Sequence, residues 1–380
     1  MTPKSKKLRT IYIKFAAAVI ALILLQSVIY TLVVTANNVV NTINRNSEDI
    51  LKQYADKRSV TLETNFSRHS ADLLDSAEIA NQLMTRKIDE KGLNAAQMFD
   101  DPALLSEFTE EISAELLEIL HCREAASSFI ILCSDSGIPD QGSTTSLKGV
   151  YFTDTDMLNE SEDHSDIIML KGSSIISSKY NIPLDIKWSA DFSNELNEIS
   201  DLDFFFNAVN AAYSFPGAEL SELGFWSPYT EITDSGSFAR NVIHYSIPLI
   251  CDGQVYGVIG AGIYADSINE LLPYSEISKN GTGEYILVHS HKSNRPSDSL
   301  SSEIQTVSGN ILYGSLEAGN TLKLSKINGT DAILSMKGVK INGSNAYCAA
   351  SPLKLYGENS PYSNDQWLML AAVSEEDLFE

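Results

Sequence analysis

The sequence predicts an α+β protein: an N-terminal transmembrane helix, a long stalk helix and two successive antiparallel-sheet lobes. Three observations predict it. Phe15 to Val34 is a 20-residue stretch without a charge. Ala36 to Lys91 contains neither glycine nor proline and carries one apolar stripe. Beyond residue 125 the apolar runs are short, and Asp-Gly and Asn-Gly dipeptides separate several of them. Those dipeptides favour tight hairpin turns, because both central residues take φ > 0.

The first element is long enough to cross a hydrocarbon core of ~30 Å as a helix. Lys4, Lys6, Lys7, Arg9 and Lys14 precede it, and no acidic residue lies among them. The positive-inside rule then places residues 1–14 in the cytoplasm and the bulk of the chain outside, on a single-pass N-terminal anchor at residues 15–34 in the cell membrane. The competing reading is a signal peptide cleaved after Val34-Thr35-Ala36, with an apolar region longer than the usual ~7–15 residues.

Residues 35–124 form the stalk and packing helices. Val40, Ile43, Ile50, Tyr54, Leu62, Phe66, Leu73, Ala77, Ala80 and Met84 recur at steps of mostly 3, 4 or 7, which is a narrow helical stripe. The stripe would serve as the seam of a homodimer or as the face that docks on the chain's own sheets. Asp101-Pro102 opens a second helix, with an N-cap acid followed by proline at the first helical position. Leu104, Leu105, Phe108, Ile112, Leu116, Ile119 and Leu120 continue its apolar face.

Ser128 to Cys133 and Lys148 to Phe152 read as strands, and Asp201 to Tyr213 as a helix across the sheet. Val242 to Ile250 and Val255 to Ile263 flank Asp252-Gly253 and read as a hairpin that closes the first lobe. The second lobe has strands at Glu284–Ser290, Thr321–Leu324, Asp331–Ile341, Asn345–Leu353 and Gln366–Ser374, with Asn328-Gly329 and Asn342-Gly343 between runs. The lobes are bounded at residues 125–275 and 276–380.

The chain has 27 basic and 50 acidic residues, and five of the basic ones precede residue 15. The remainder, 22 basic against 50 acidic, does not bind nucleic acid or anionic lipid through bulk charge. Cys122, Cys133, Cys251 and Cys348 match no zinc or redox spacing. Cys122 and Cys133 would form a disulfide or remain buried thiols; Cys251 and Cys348 fall in different lobes and are not expected to pair.

The stretch RNVIHYSIPLICDGQVYGVIGAGIYADSINELLPYS, residues 240–275, resembles the end of the membrane-distal half of a double Cache domain. GVYFTDTD (149–156), DIIMLKG (166–172), NIPLDIKWSADF (181–192) and FWSPYTE (225–231) are similar to the same group. The resemblance covers about 150 residues. It implies two PAS-like (Cache) lobes and an extracellular small-molecule sensor of a bacterial transmembrane receptor. QWLMLAAVSEEDLFE, at residues 366–380, is similar to the last strand and turn ahead of a second membrane helix. No output domain (diguanylate cyclase, histidine kinase or chemoreceptor) follows in this chain, so it reads as the sensor region of a longer receptor. The alternative function is a membrane-anchored extracellular hydrolase.

The resemblance also places the ligand pocket in the distal lobe, between the sheet and its covering loops. Trp188, Tyr213, Trp226, Tyr229, Arg240 and Tyr245 supply the residue types there: aromatic faces for enclosure or for an ammonium, and an arginine for a carboxylate. Trp188 and Trp226 read equally as core aromatics. In amino-acid-sensing Cache domains the second closing strand carries an aspartate that binds the ligand's ammonium. Gly262 stands at the corresponding position here, so standard α-amino-acid recognition is not expected.

Other constellations carry little. His289-x-His291 would share one side of a strand, and Asp154, Asp156, Glu160, Glu162 and Asp163 form an acidic loop. Neither has a full ligand set for a metal. There is no Gly-x-Ser-x-Gly, His-Glu-x-x-His or phosphate loop, and no cofactor is expected.

Overall fold

The computed structural model describes residues 3–123, 125–133, 147–155, 166–192, 202–233, 239–277, 282–291, 299–309, 316–327 and 330–379. Helix α1 runs without a break from Pro3 to Lys91. At 1.5 Å per residue its length is about 130 Å. The stalk stripe docks on the chain's own sheets: Leu51, Ala55, Leu62, Phe66, Leu73, Ala77, Ala80, Met84 and Ile88 are all buried, while Ile50 is exposed. Gly92 ends the helix at φ 64°, and the Leu93 N–H returns to the Ile88 carbonyl at 3.0 Å. That is how a left-handed C-cap satisfies the last carbonyls. Asp101 then caps α2 (Pro102–Arg123), its Oδ1 accepting from the N–H groups of Ala103 and Leu104 at 3.0 and 3.1 Å.

The predicted spanning segment is the apolar part of α1. Phe15, Leu22, Leu25 and Tyr30 are exposed there. The side chains of residues 16–18 and 32 lie outside the described set. Among the described residues no helix is long and apolar enough to cross a membrane.

The first lobe is one sheet. Its elements are β1 (Ser127–Leu132), β2 (Lys148–Asp154), β3 (Ile167–Lys171), α3 (Ser174–Tyr180), β4 (Leu184–Ser189), α4 (Asp203–Ser214), α5 (Leu220–Leu223), β5 (Phe225–Trp226), β6 (Thr230–Thr233), β7 (Ala239–Cys251) and β8 (Gln254–Tyr264). The strand order is β4-β3-β2-β1-β8-β7-β5, with β6 also beside β7. The sheet is not wholly antiparallel, as the sequence suggested: β4 runs parallel to β3. The reason is α3, which carries the chain back across the sheet before β4 begins, as a parallel connection requires. Asp252 and Gly253 form the β7–β8 turn at φ 46° and 77°.

After α6 (Ala265–Glu270) the second lobe comprises β9 (Glu284–His291), β10 (Ser299–Ser308), β11 (Thr321–Ile327), β12 (Thr330–Ile341), β13 (Ser344–Leu353) and β14 (Asp365–Ser374), with α7 (Glu375–Phe379) at the end. These strands close into a barrel, because β9 pairs with both β10 and β14. The closing strand β10 is the one that sequence patterning missed: SLSSEIQTVS is serine-rich and has few of the bulky residues that mark a strand. The Asn342-Gly343 turn joins β12 to β13 with φ 52° and 84°. Residues 328–329 lie outside the described set, as does most of the acidic loop.

One face of the first sheet and one face of the barrel pack on α1. Phe66 marks the junction: its ring stacks on Trp226 of β5 at 4.5 Å and meets Trp367 of β14 edge-on at 6.2 Å. The β13–β14 loop reaches up to the first lobe, where Ser360 Oγ donates to the Glu222 carbonyl at 3.0 Å. Tyr229 N–H donates across the junction to Gln305 Oε1 at 2.7 Å. On the other side Arg58 of α1 grips Glu276 at 2.6 Å, and the Tyr285 hydroxyl donates to the same carboxylate at 2.7 Å.

Candidate ligand site

Strand register sorts the first sheet into two chemically different faces. Ile130, Val150, Phe152, Ile243, Tyr245, Ile247 and Ile259 point toward α1 and build the main core. Phe129, Ile131, Tyr151 and Val258 point the other way, toward α4. On that second face the pairs Ser127↔Gly262, Ser127↔Thr153 and His244↔Gly262 bring polar residues from neighbouring strands into one row.

The row is buried and hydrogen-bonded. The Tyr151 hydroxyl donates to Ser127 Oγ at 2.9 Å and stands 2.8 Å from His244 Nε2. A phenol has one proton, so with that proton on Ser127 it accepts from the His244 Nε2–H. The neutral imidazole then presents an unprotonated Nδ1, which is buried without a hydrogen-bond partner among the described residues. Burial pushes the His244 pKa down to about 3, so the ring is uncharged at neutral pH. Phe204 of α4 stacks on it at 4.5 Å. Next along the row, Thr153 Oγ1 and the Tyr264 hydroxyl lie 3.1 Å apart, and Tyr264 donates to the Asp154 carbonyl at 2.6 Å.

Gly262 sits in the middle of this face. A Cβ there would lie 2.3 Å from Ser127 Oγ and 2.4 Å from Val242 Cγ1. The volume that a side chain at 262 would need is filled by its neighbours. At Gly260 a Cβ would meet the Phe129 ring at 2.0 Å, which is why that ring can lie flat across the strand.

The described residues expected to line a pocket do not gather around one space: Trp226 and Tyr245 lie together, and Trp188 and Tyr213 lie elsewhere on the sheet. Trp226 and Tyr245 are buried on the α1 face, 4.7 Å apart, within the core around Phe66. Their parity puts them on the opposite side of the sheet from His244. Trp188 is half-buried on the edge strand β4, its indole N–H donating to the Gly172 carbonyl at 3.0 Å. Tyr213 is at the far end of α4, its hydroxyl 3.4 Å from the Val255 carbonyl. Tyr229 lies at the lobe junction near Gly319. The backbone of Arg240 pairs with Ile232 in β7, and its side chain is outside the described residues. Sequence reasoning missed Ser127, Tyr151 and His244. The signal was the parity of β7: His244 is polar in a run whose alternate members, Ile243, Tyr245 and Ile247, already form the core face.

The row presents hydroxyls and an imidazole acceptor that can hydrogen-bond. A hydrolase would need a nucleophile held against a base that a third group orients. Here Tyr151 stands between Ser127 and His244, and Nδ1 has no orienting acid among the described residues. Among the described residues no group of three or more His, Cys, Asp or Glu side chains could hold a metal. His289 is buried beside Trp367 at 5.1 Å, and the side chain of its sequence partner His291 is not described. Cys251 and Cys348 are buried thiols in separate lobes. Cys133 is buried, and the Cys122 side chain is outside the described set.

Fold and site together define a two-lobed, helix-spined α+β module with a buried polar face on its first sheet. No family model matches the chain, and no curated protein matches it. Similar solved structures include the periplasmic sensory domain of the Campylobacter jejuni chemoreceptor Tlp1, with 13% identity, 89% of this chain and 98% of that chain covered, and a TM-score of 0.47. The ligand-binding domain of the Pseudomonas fluorescens chemoreceptor CtaA, in complex with L-isoleucine, shares 11% identity over 89% of this chain and 97% of that one, with a TM-score of 0.41. That of the Pseudomonas aeruginosa amino acid chemoreceptor PctB, in complex with L-Gln, shares 11% over 87% and 92%, with a TM-score of 0.43.

Proposed function

We propose that this chain is the extracellular sensor region of a bacterial transmembrane signalling receptor of the double Cache type. It binds a small molecule on the α4 face of the distal sheet and has no catalysis of its own. The observation that carries the reading is the His244 Nδ1: a buried acceptor without a partner is costly unless something donates to it. The ligand therefore offers an N–H or O–H group to Nδ1, beside the hydroxyls of Tyr151, Ser127 and Thr153. The distal lobe spans residues 125–275 and the proximal lobe 276–380. Arg240 remains the candidate for an anionic group on the ligand, while Trp226 and Tyr245 serve the core.

Phe15–Val34 is the membrane anchor in this reading. Its support is the exposure of Phe15, Leu22, Leu25 and Tyr30 on a helix that five basic residues precede. Because α1 runs from that segment past both lobes, a shift at the sheet is passed along it to an output domain of the diguanylate cyclase, histidine kinase or chemoreceptor kind. The exposed Ile50, Val60 and Ile79 on α1 support pairing of two stalks.

A thermal-shift screen of amino acids, amines, organic acids and purines against residues 36–380 tests the site. A ligand raises the melting temperature according to ln(1 + [L]/Kd). Tyr151→Phe and His244→Phe should each reduce that shift. A shift that survives both substitutions would place the ligand elsewhere. N-terminal sequencing of the mature protein tests the anchor, and a start near Asn37 would replace it with a cleaved signal.

A further inference from the structure

The lobes meet along a cleft of mixed polar and apolar lining that is separate from the His244 face. It lies between α4 and the turn ahead of β14 and has a volume of about 330 Å³. That is within the roughly 300–1,000 Å³ of small-molecule sites. Asp203, Asn207, Asn210 and Ser214 fall at i, i+4, i+7 and i+11 of α4 and line one wall. Phe204, Phe205, Phe206 and Val209 on the same helix are buried in the lobe. The opposite wall is proximal: His289, Pro361, Asn364 and Asp365. Phe225 and Tyr362 form the apolar part. Tyr362 ties the walls together, its hydroxyl donating to the Asn207 carbonyl at 3.0 Å, so the cleft is preformed.

The carboxamides of Asn207, Asn210 and Asn364 make no hydrogen bond to other described residues. Three such amides from two lobes therefore face one space. Each carries a donor and an acceptor, which is the pattern that vicinal hydroxyls match. The described lining holds two carboxylates, Asp203 and Asp365, and the ring of His289 but no lysine or arginine, so it does not suit an anion. An apolar ligand would leave the amides unmatched, whereas the Phe225 ring and the prolines suit the C–H face of a sugar. We propose that this interlobe cleft is a binding site for a small polyhydroxylated ligand of the monosaccharide class. Occupancy touches α4 and the β13–β14 loop at once, so it holds the two lobes at one angle.

Saturation-transfer NMR and calorimetry of the full chain with D-glucose, D-galactose and D-ribose test the site. At least one should bind saturably in the millimolar range or tighter. Asn207→Leu and Asn364→Leu should each weaken binding about tenfold, since each removes a paired donor and acceptor. Asn364 is exposed, so its replacement reports on the cleft even where a change in α4 perturbs packing. Tyr151→Phe should leave sugar binding unchanged, which separates this cleft from the His244 face. The proposal is overturned if none of the three sugars binds, if binding persists in the Asn207→Leu/Asn364→Leu double variant, or if Tyr151→Phe alone abolishes it.

Discussion

The hydroxyl of Tyr356 brackets the peptide of Trp226. It accepts from the Trp226 N–H at 3.1 Å and donates to the Trp226 carbonyl at 3.2 Å. Tyr356 belongs to the β13–β14 loop of the barrel lobe and Trp226 to β5 of the sheet lobe, so one side chain closes two backbone valences across the junction. The next residue, Ser227, donates its N–H to the His244 carbonyl at 2.8 Å. The candidate ligand face and the lobe junction are thus linked through two adjacent residues, Trp226 and Ser227.

Tyr356→Phe should destabilise the protein by about 1–3 kcal/mol, because it strands a buried N–H and a buried carbonyl together. Trp226→Ala should cost more, on the order of 3–5 kcal/mol, since it also empties the stack on Phe66. Urea unfolding followed by circular dichroism measures both. Equal stability of wild type and Tyr356→Phe would show that the bracket contributes nothing net.

Acid should weaken the fold in two separable stages. The His244 pKa is held down to about 3 by burial, below its ordinary 6.5. Its contribution is present above pH 6.5 and is lost as pH falls toward 3. Glu276 is held down to about 2 from 4.5, chiefly by the Arg58 hydrogen bond, so its contribution is lost only below pH 4.5. Urea midpoints between pH 7.5 and 3 should therefore lose their first stage in His244→Phe and their second in Glu276→Gln. An unchanged profile in either variant would contradict the assignment.

Glu284 works in the opposite direction. It is buried in the barrel lobe, and desolvation raises its pKa to about 8 from 4.5. A carboxyl with a raised folded pKa stabilises below the unfolded value and loses that contribution as pH rises through the folded one. Glu284→Gln should accordingly raise the urea midpoint at pH 8, with the gain shrinking as pH falls from 8 toward 4.5 and absent below that. A loss of stability at pH 8 would show that the carboxylate is paired there.

Gly262→Ala should lower the melting temperature, because its Cβ would crowd Ser127 and Val242 at the distances given above; overpacking of this kind costs roughly 1–3 kcal/mol. Gly262→Asp should not create α-amino-acid binding, and the native protein should bind no common α-amino acid at micromolar concentration. Calorimetry with the twenty amino acids checks this. Micromolar binding of one would mean that another acidic residue takes the ammonium.

The sequence by itself determined the elements whose information is local. The unbroken α1 follows from a long stretch without glycine or proline, the start of α2 from Asp101-Pro102, and the β7–β8 hairpin from Asp252-Gly253. Those features act through backbone conformation and capping, which need only neighbours in the chain. Tertiary structure decided what depends on register and closure. Whether the stalk stripe faced a second copy or its own sheets was open until Leu62, Phe66 and Leu73 were seen buried against them. The parallel β4 and the closing strand β10 are set by partners far away in sequence. The same holds for the site. Residue type marked Trp226 and Tyr245 as binding candidates, but strand parity, which a one-residue shift reverses, turned them to the spine and turned His244 and Tyr151 to the opposite face.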